Sequence, residues 1–381
     1  MLTPSDIEEL TAFRRELHRQ PELSGEEQRT ARTIRAQLER LSPTRIIGGL
    51  GGHGIAAVFD SGQPGPTVLF RAELDALPIH EISTFDWASE VPGKGHLCGH
   101  DGHMTMLLAL GRLLQRRPPA RGRAVLMFQP AEEDGTGARA VVADPAFAQL
   151  TPDFAFAIHN EPGRPFGHVS TRVGLMNCAS LGLAIHLSGK TAHAADPQDG
   201  VSPVAAVAAL VPQLDALGEG GTLDETFRLA TITHVNVGEA TFGVAPGDAL
   251  VHVTLRATRD EALRDMTSKA RTAAERLAEA HGLGVELDEQ DVFAATVNDA
   301  AATAIAREAM DAAGVPHDER DLPMKASEDF GEFGHRAKAC MMCLGPGENY
   351  AALHNPDYDF PDSLIPIGTD IFDRVAERLL G

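Results

Sequence analysis

The chain has 381 residues, of which 43% are hydrophobic and 23% charged, and its formal net charge is −21 at pH 7. A chain of this length is expected to form two domains, and its composition is that of a globular protein. The excess of acidic residues, with no basic stripe, argues against nucleic acids and anionic membrane surfaces as partners.

No targeting or membrane-spanning segment is predicted. Residues 1–17 mix acidic and basic side chains without the apolar core of a signal peptide. No apolar run approaches the roughly 18 residues of a transmembrane helix. The four cysteines are too few for a disulfide framework. These features predict a soluble cytoplasmic protein.

The first part of the chain has the pattern of an α/β layer. Two helices are predicted, at residues 4–18 and 26–41. Short apolar runs then alternate with helical segments, at residues 54–59, 67–71, 104–114, 124–128 and 154–158. Near-continuous apolar strands separated by helices are typical of a mostly parallel central sheet.

The pattern changes near residue 173. A strand, a helix, two strands, a helix and a strand are predicted next, at residues 179–187, 202–217, 228–237, 249–258, 261–280 and 284–292. This βαββαβ order is the ferredoxin-like pattern, and we interpret it as an inserted domain. A helix, a strand and a final helix follow, at residues 300–313, at 340–344 and after 367.

The predicted fold class is therefore α/β with two domains. A discontinuous first domain comprises residues 1–174 and 294–381. An inserted ferredoxin-like domain comprises residues 175–293.

Acidic and imidazole side chains follow three of the predicted strands directly. They are Glu73 and Asp75 after the strand at 67–71, Glu132 and Glu133 after 124–128, and His159 after 154–158. In open α/β sheets, ligands bind outside the carboxyl ends of the strands. These side chains are therefore expected to meet in one site.

The run from Cys98 to His103, Cys-Gly-His-Asp-Gly-His, carries a thiol and an imidazole two residues apart. Such donors together suit Zn²⁺ and similar divalent ions. The glycines allow the backbone to turn tightly enough to bring both side chains to one point.

Five residues on predicted loops could together bind two divalent ions. They supply a thiolate, a carboxylate and three imidazoles: Cys98, His100, Glu133, His159 and His354. Each ion needs about four N, O or S ligands, with one position left for water. A water between two such ions ionises near neutral pH and can then attack a carbonyl.

Two further acids complete the predicted chemistry. Glu132 is the expected general base, because it neighbours the ligand Glu133 and one of the two side chains can then face the water. Asp75 is expected to orient an imidazole or thiolate ligand.

Five motifs in register resemble the M20 metallopeptidase family, specifically its amidohydrolase branch. Besides Cys98–His103, they are Arg71-Ala-Glu-Leu-Asp-Ala-Leu-Pro78, Gln129-Pro-Ala-Glu-Glu133, Ala157-Ile-His159 and Leu353-His-Asn-Pro356. The resemblance extends to Gly189-Lys-Thr-Ala-His193 and Ser327-Glu-Asp-Phe330, and so covers essentially the whole chain.

The resemblance implies hydrolysis of N-acyl amino acids or similar small N-acyl amines by two divalent ions, Mn, Zn, Co or Ni. It implies the same five ligands, with Glu132 as general base. The discontinuous first domain would be the catalytic domain, and the inserted ferredoxin-like domain would be its lid. In the lid, His193 would polarise the scissile carbonyl or stabilise the oxyanion, and Arg256 would bind the substrate's free carboxylate. The lid often also mediates assembly, which predicts a homodimer or homotetramer.

The chain departs from the family pattern at two positions. Glu73 stands where the family usually has Asp, which alters the contacts around the ions. Gly243 stands where the family commonly has Asn, which suggests a different acyl or amino-acid specificity.

Several alternatives stay open at this point. The enzyme could be a dipeptidase or carboxypeptidase of the same family, or the chain could be a non-catalytic relative that binds a metal or ligand. His103 is expected to support the site without binding an ion. His18 is assigned, with six other histidines that lack a partner motif, to the surface or core. Cys340 and Cys343 are expected on a buried strand.

Overall fold

The computed structural model describes residues 1–381, which form nine helices and sixteen strands. The helices are α1 (Pro4–Arg19), α2 (Gln28–Arg40), α3 (His100–Arg116), α4 (Gly137–Ala143), α5 (Val204–Asp215), α6 (Asp260–His281), α7 (Ala300–Ala313), α8 (Gly331–Gly334) and α9 (Leu364–Leu380). The strands are β1 (Arg45–Leu50), β2 (Gly54–Asp60), β3 (Thr67–Glu73), β4 (Arg123–Gln129), β5 (Phe154–Asn160), β6 (Val169–Ser170), β7 (Gly174–Asn177), β8 (Ala179–Ser188), β9 (Ala192–His193), β10 (Arg228–Val237), β11 (Val244–Ala245), β12 (Asp248–Ala257), β13 (Gly284–Phe293), β14 (Thr296–Asn298), β15 (His317–Asp318) and β16 (Lys338–Leu344). None of the helices combines the length and the apolar character needed to cross a bilayer.

The chain divides into two compact units. The first contains residues 1–176, 296–322 and 329–381, and the second contains residues 177–295 and 323–328. The short segment 323–328 groups with the second unit, although the sequence assigned it to the catalytic domain. Arg256 accounts for part of this grouping, because its guanidinium donates hydrogen bonds to Lys325 O and Ser327 Oγ.

The first unit is built on an eight-stranded sheet in the order β1-β2-β4-β3-β5-β16-β6-β15. The four central strands, from β4 to β16, run parallel. Outside these strands the pairing is mixed: β1 and β2 pair antiparallel, as do β2 and β4, and β16 and β6, whereas β6 and β15 pair parallel. The predicted mostly parallel sheet is therefore corrected to a mixed sheet.

The correction has a local cause. Strand β1 was not predicted, because its glycines, Gly48 and Gly49, resemble a loop. Only residues 51–53 form the turn between β1 and β2, and so short a connection requires antiparallel pairing.

Alternating side chains of the central strands fill two cores, one on each face of the sheet. On β3, Phe70 packs in the core that contains α1, α2, α3, α7 and α9. Its neighbour Leu69 packs in the opposite core, with α4 and α8. Both cores hold the strands rigidly, so the loops at the strand ends start from fixed positions. The cysteines Cys340 and Cys343 lie buried in β16 as free thiols.

The second unit contains a four-stranded antiparallel sheet in the order β10-β12-β8-β13. Helices α5 and α6 pack against each other and against this sheet. Strand β12 alternates between buried and partly exposed residues, so the helices cover one face only. The short strands β9 and β11 form a separate two-stranded sheet. That this unit acts as a lid stays a prediction.

Candidate metal centre

The five candidate ligands lie at or next to the ends of four different elements of the first unit. Cys98 and His100 stand on either side of Gly99 at the start of α3, and His159 lies near the end of β5. Glu133 follows β4, and His354 lies in the loop after β16. The structure therefore brings together residues up to 256 positions apart, from Cys98 to His354.

Glycine is required at position 99 for this arrangement. Its φ of +94° lies in the left-handed region, which other residues rarely adopt. A Cβ atom there would lie 2.0 Å from Asn160 Oδ1. Gly99 thus allows the chain to turn between Cys98 and His100 while Asn160 packs against the turn.

The first set of ligand atoms comes from Cys98, His100 and His159, and these atoms lie within 4.8 Å of one another. The thiol sulfur is 3.4 Å from His159 Nε2. Backbone carbonyls fix both rings, since His100 Nδ1 is 2.9 Å from Asp75 O and His159 Nδ1 is 2.7 Å from Asn160 O. A ring that donates through Nδ1 presents the lone pair of Nε2, which is what a metal requires.

The second set comes from Cys98, Glu133 and His354, again within 4.8 Å. Glu133 Oε1 is 3.7 Å from His100 Nε2, and its Oε2 is 3.6 Å from His354 Nε2. The Glu133 carboxylate therefore faces one imidazole with each oxygen. Because both sets include Cys98, the five residues can be shared between two neighbouring ions.

The electrostatics of the cluster favour a cation. Burial disfavours the charged form of His100, but Asp75, Glu73 and Glu133 raise its pKa to about 10. Burial and the nearby Glu133 raise the pKa of the Cys98 thiol well above its usual value, so its thiolate needs a compensating positive charge. His100 Nε2 is buried without a hydrogen-bond partner. Bound divalent ions would compensate a Cys98 thiolate and give His100 Nε2 a partner.

Asp75 and Glu132 lie beside the ligands. Asp75 is fully buried, and its Oδ1 is 3.3 Å from His100 Nδ1. Its Oδ2 accepts hydrogen bonds from Ser24 Oγ and from the backbone N–H of Glu133, at 2.8 and 3.0 Å. Glu132 Oε2 lies 3.9 Å from His100 Nε2. Asp75 thus contacts two candidate ligands, and Glu132 borders the space that the ligands enclose.

His103 has no ring nitrogen left for a metal. Its Nδ1 lies 2.7 Å from Glu73 Oε2, and its Nε2 lies 2.8 Å from Asn160 Oδ1. The buried Arg71 forms an ion pair with Glu73 on the other side. Burial opposes ionisation of Glu73, but Arg71 and His103 hold its pKa well below the usual range. The Glu73 side chain, longer than the Asp of the family pattern, therefore contacts both Arg71 and His103 behind the candidate ligands.

His193 and Arg256 lie in the second unit. His193 is exposed on β9, and the backbone N–H of Ala195 donates to its Nδ1 at 3.1 Å. Because Nδ1 is an acceptor, a ring proton lies on Nε2, which can donate it outward. Arg256 is partly buried, with Nη1 engaged by Lys325 O and Ser327 Oγ.

The substitution at Gly243 leaves open space. No atom lies within 4 Å of the position that a Cβ would occupy there. Gly243 pairs with the loop that follows His193, because the backbone N–H of Ala194 donates to Gly243 O at 3.0 Å. An asparagine would fit at this position, so glycine is not imposed by packing.

Three groups of buried polar residues near the ligands were not predicted. Glu27 contacts the loop that carries Glu132, His96 lies buried with no partner on either ring nitrogen, and Arg14 and His18 bind Asp101. Glu27 and Arg14 lie in helical patterns that favour solvent exposure. Only long-range contacts reveal their surroundings.

Comparison with known proteins agrees with these motifs. Residues 69–378 match the model of Peptidase family M20/M25/M40. The chain is 30% identical to IAA-amino acid hydrolase ILR1-like 2 of Arabidopsis thaliana, over 99% of this chain and 87% of that protein. It is 28% identical to hippurate hydrolase of Campylobacter jejuni, over 98% of this chain and 97% of that protein.

A solved structure is similar over the whole length. It is that of the Bacillus subtilis YXEP protein, a dinuclear metal binding peptidase from the M20 family, at 26% identity. The TM-score is 0.81, with 99% of each chain covered. The chain therefore belongs to Peptidase family M20/M25/M40, in the branch of metal-dependent amidohydrolases whose motifs it carries.

Proposed function

We propose that this chain hydrolyses the amide bond of N-acyl amino acids or similar small N-acyl amines, using a centre of two divalent ions. The observation that carries the proposal is the cluster of five ligands with Glu132 beside it. Cys98, His100, Glu133, His159 and His354 would bind the ions. The mixed set of S, N and O donors is compatible with Mn, Zn, Co or Ni.

The protein side chains have distinct roles in this reaction. When bound, the ions lower the pKa of a water molecule and polarise the substrate carbonyl. Glu132 accepts a proton from the attacking water and returns it to the leaving amine. Asp75 keeps His100 oriented through its contact with Nδ1.

Two residues of the second unit would complete the site. His193 Nε2–H would donate a hydrogen bond to the developing oxyanion, from the same chain or from a partner subunit. Arg256 would bind the substrate's free carboxylate with the guanidinium hydrogens that Lys325 and Ser327 leave available.

The names of the relatives support this substrate class. The Arabidopsis and Campylobacter proteins are named as hydrolases of an IAA-amino acid and of hippurate, which are both N-acyl amino acids. The acyl group and the amino acid preferred by this chain are specified by neither name. A screen of acetyl-, benzoyl-, long-acyl- and indoleacetyl-amino acids, after reconstitution with Mn²⁺, Co²⁺ or Zn²⁺, would identify them.

The same screen, extended to dipeptides with a free α-amine, separates the two alternatives. A dipeptidase or carboxypeptidase would cleave dipeptides with a free α-amine in preference to N-acyl amino acids. A non-catalytic relative would bind ions but cleave nothing. Glu132, present next to all five ligands, favours an enzyme over this second alternative.

Replacing Glu132 tests the mechanism. Glu132→Gln keeps the size of the side chain but removes its basicity, so kcat is expected to fall by about 10²–10⁴-fold. Bound metal, measured by elemental analysis, is expected to be unchanged, because Glu132 is not one of the five ligands. Asp134→Asn, whose carboxylate contacts Thr136, is the matched control and should retain activity. Wild-type turnover by Glu132→Gln would exclude Glu132 as the base.

We also propose assembly into a homodimer or homotetramer through the second unit. Strand β10 lies at the edge of its sheet and has ten residues, most of them partly or fully exposed. An edge of this length offers unpaired backbone groups to a second copy. Sedimentation equilibrium gives the oligomeric state, and a monomer at all concentrations would refute the proposal.

A further inference from the structure

The segment between α1 and α2, residues 20–27, runs alongside the metal centre. Leu23 forms a parallel bridge with Ala76, and the backbone N–H of Ala76 donates to Glu22 O at 2.8 Å. The segment ends at Glu27, whose side chain is completely buried. A carboxylate is rarely buried unless it binds something specific.

The partner of Glu27 lies 104 residues further along the chain. Glu27 Oε1 accepts a hydrogen bond from the backbone N–H of Ala131 at 2.8 Å. The same oxygen accepts a second bond from the backbone N–H of Gly25, also at 2.8 Å. Two backbone N–H groups thus converge on one carboxyl oxygen of Glu27.

Ala131 has an uncommon backbone conformation. Its φ of +50° lies in the left-handed region, which is sterically unfavourable for a residue with a Cβ. Such a conformation persists only where the surroundings impose it. Here Glu27 holds the N–H of Ala131, and the N–H of Gly137 donates to Ala131 O at 2.9 Å. The next two residues are Glu132 and Glu133, so the turn at Ala131 sets their directions.

The same segment reaches a second amide of this loop through Asp75. Ser24 Oγ donates to Asp75 Oδ2, and that oxygen also accepts the backbone N–H of Glu133. Two buried carboxylates therefore bind the backbone on both sides of Glu132, at Ala131 and at Glu133. The segment of residues 20–27 supplies the first carboxylate, that of Glu27, and contacts the second, that of Asp75, through Ser24.

We infer that Glu27 is a positioning residue of the metal centre, which maintains the left-handed turn at Ala131 and thereby aims Glu132 and Glu133. It touches neither an ion nor the substrate, and it acts through the Ala131 amide. The inference rests on the proposed two-ion centre. Its first test requires neither metal nor activity.

That first test is hydrogen exchange of the metal-free protein, followed by mass spectrometry. In Glu27→Ala the peptide over residues 129–137 should exchange at least about tenfold faster, because the Ala131 amide loses its acceptor. Glu27→Gln keeps a carbonyl oxygen as acceptor and should stay within about threefold of wild type. Glu26→Ala is the matched control, since Glu26 is exposed and pairs with Lys94 at the surface.

The second test is calorimetric titration with Mn²⁺ or Zn²⁺. Glu27→Ala should lower the affinity for the ion that Glu133 binds by about 10–100-fold, the range found when a residue supporting a ligand is lost. The other ion, held by Cys98, His100 and His159, should keep its affinity. Glu27→Gln and Glu26→Ala should match the wild-type protein.

A rescue experiment separates this role from a general loss of stability. Glycine adopts a positive φ without steric cost, so Ala131→Gly removes the need for Glu27 to hold the turn. Ala131→Gly alone should bind both ions as wild type does. In the Glu27→Ala background, Ala131→Gly should restore the affinity for the ion that Glu133 binds to within about threefold of the wild-type value. If Glu27→Ala does not fold, Glu27→Asp, shorter by one methylene, takes its place in all three tests.

The results distinguish this inference from the proposed function. Wild-type exchange and metal affinity in Glu27→Ala would overturn the inference, as would a failure of Ala131→Gly to restore any affinity. Both outcomes leave the hydrolase activity of the wild-type protein intact. A wild-type protein that binds two ions but cleaves no amide would overturn the proposed function and leave the role of Glu27 standing.

Discussion

His103 lies among the candidate metal ligands, with both of its ring nitrogens close to other side chains. Both ring nitrogens are engaged, by Glu73 and by Asn160, and the ring lies edge-on to that of His159 with centroids 4.7 Å apart. It therefore restrains the ligand His159 from behind. The sequence could predict that His103 and His100 differ, but the partners of His103 are 30 and 57 residues away and follow from the fold.

We predict that His103→Ala weakens metal binding by about 10–100-fold without abolishing it, because the ligands themselves remain. His159→Ala should fail to bind the ion of the first set, which is formed by Cys98, His100 and His159, at all accessible metal concentrations. Calorimetric titration of both variants with Zn²⁺ measures the difference. Equal losses in the two variants would identify His103 as a ligand.

The candidate ligands could be proposed from the sequence, whereas much of what surrounds them could not. Cys98, His100 and Glu133 stand in short motifs next to strong strand or helix patterns, which is why the sequence singles them out. Glu27 and Arg14 have no such motif, because an acid or base in a helical pattern is usually solvent-exposed. Their burial depends on contacts with segments more than 80 residues away.

At the level of elements, a cluster of ion pairs around the buried Arg14 connects α1 to the two segments that carry His100 and His354. Arg14 is fully buried on α1 and forms ion pairs with Asp101 at the start of α3. It also pairs with Asp359 and Asp362, in the loop that follows His354. One guanidinium thus joins three parts of the first unit.

We expect Arg14→Met to destabilise the protein by about 3–5 kcal/mol, because three carboxylates lose their buried counter-charge. Arg19→Met, on the same helix, removes a partly exposed pair with Glu16 and long, exposed hydrogen bonds to Asp86 O, and should change the free energy of unfolding by less than about 1 kcal/mol. Denaturation by urea compares the two. Equal effects would show that burial of the Arg14 cluster is irrelevant to stability.

The same cluster makes stability depend on pH through His18. Burial opposes its charge, but the Asp101 and Glu81 carboxylates raise the pKa of His18 to about 9. Since the unfolded value is about 6.5, folding favours the protonated ring. The contribution, about 3 kcal/mol, is complete below pH 6.5 and is lost as the pH rises through 9.

His18→Gln should therefore be less stable than wild type at pH 6, and the difference should shrink towards pH 9.5. Thermal unfolding between pH 6 and 10 measures it. His281→Gln, an exposed position at the end of α6, is the control and should follow the wild-type curve. A constant difference across this range would show that the proton on His18 does not contribute.

The elements themselves were predicted with uneven success. Helices and buried strands such as α1 and β3 have clear periodic patterns, and their positions follow from the sequence. Strand β1 is glycine-rich and half exposed, so its pattern is that of a loop. The antiparallel edge formed by β1 and β2 could not be inferred without β1.

At the level of the whole molecule, all five candidate ligands lie in the first unit and none in the second. Ions that bind only the folded chain stabilise it by mass action, by about 2.7 kcal/mol per site at a hundredfold excess over Kd. Because the ligands link α3, β4, β5 and the loop after β16, this stabilisation belongs to the first unit.

We therefore predict that chelation of the ions lowers the unfolding temperature of the first unit and leaves the second unchanged. Calorimetry gives the transition temperatures, and hydrogen exchange assigns them, with peptides of α3 and α9 reporting on the first unit and those of α5 and α6 on the second. Cys98→Ser should abolish the difference between the metal-loaded and metal-free protein, because both ligand sets share Cys98. Faster exchange in α5 and α6 on chelation, with α3 unaffected, would contradict a centre built entirely from the first unit.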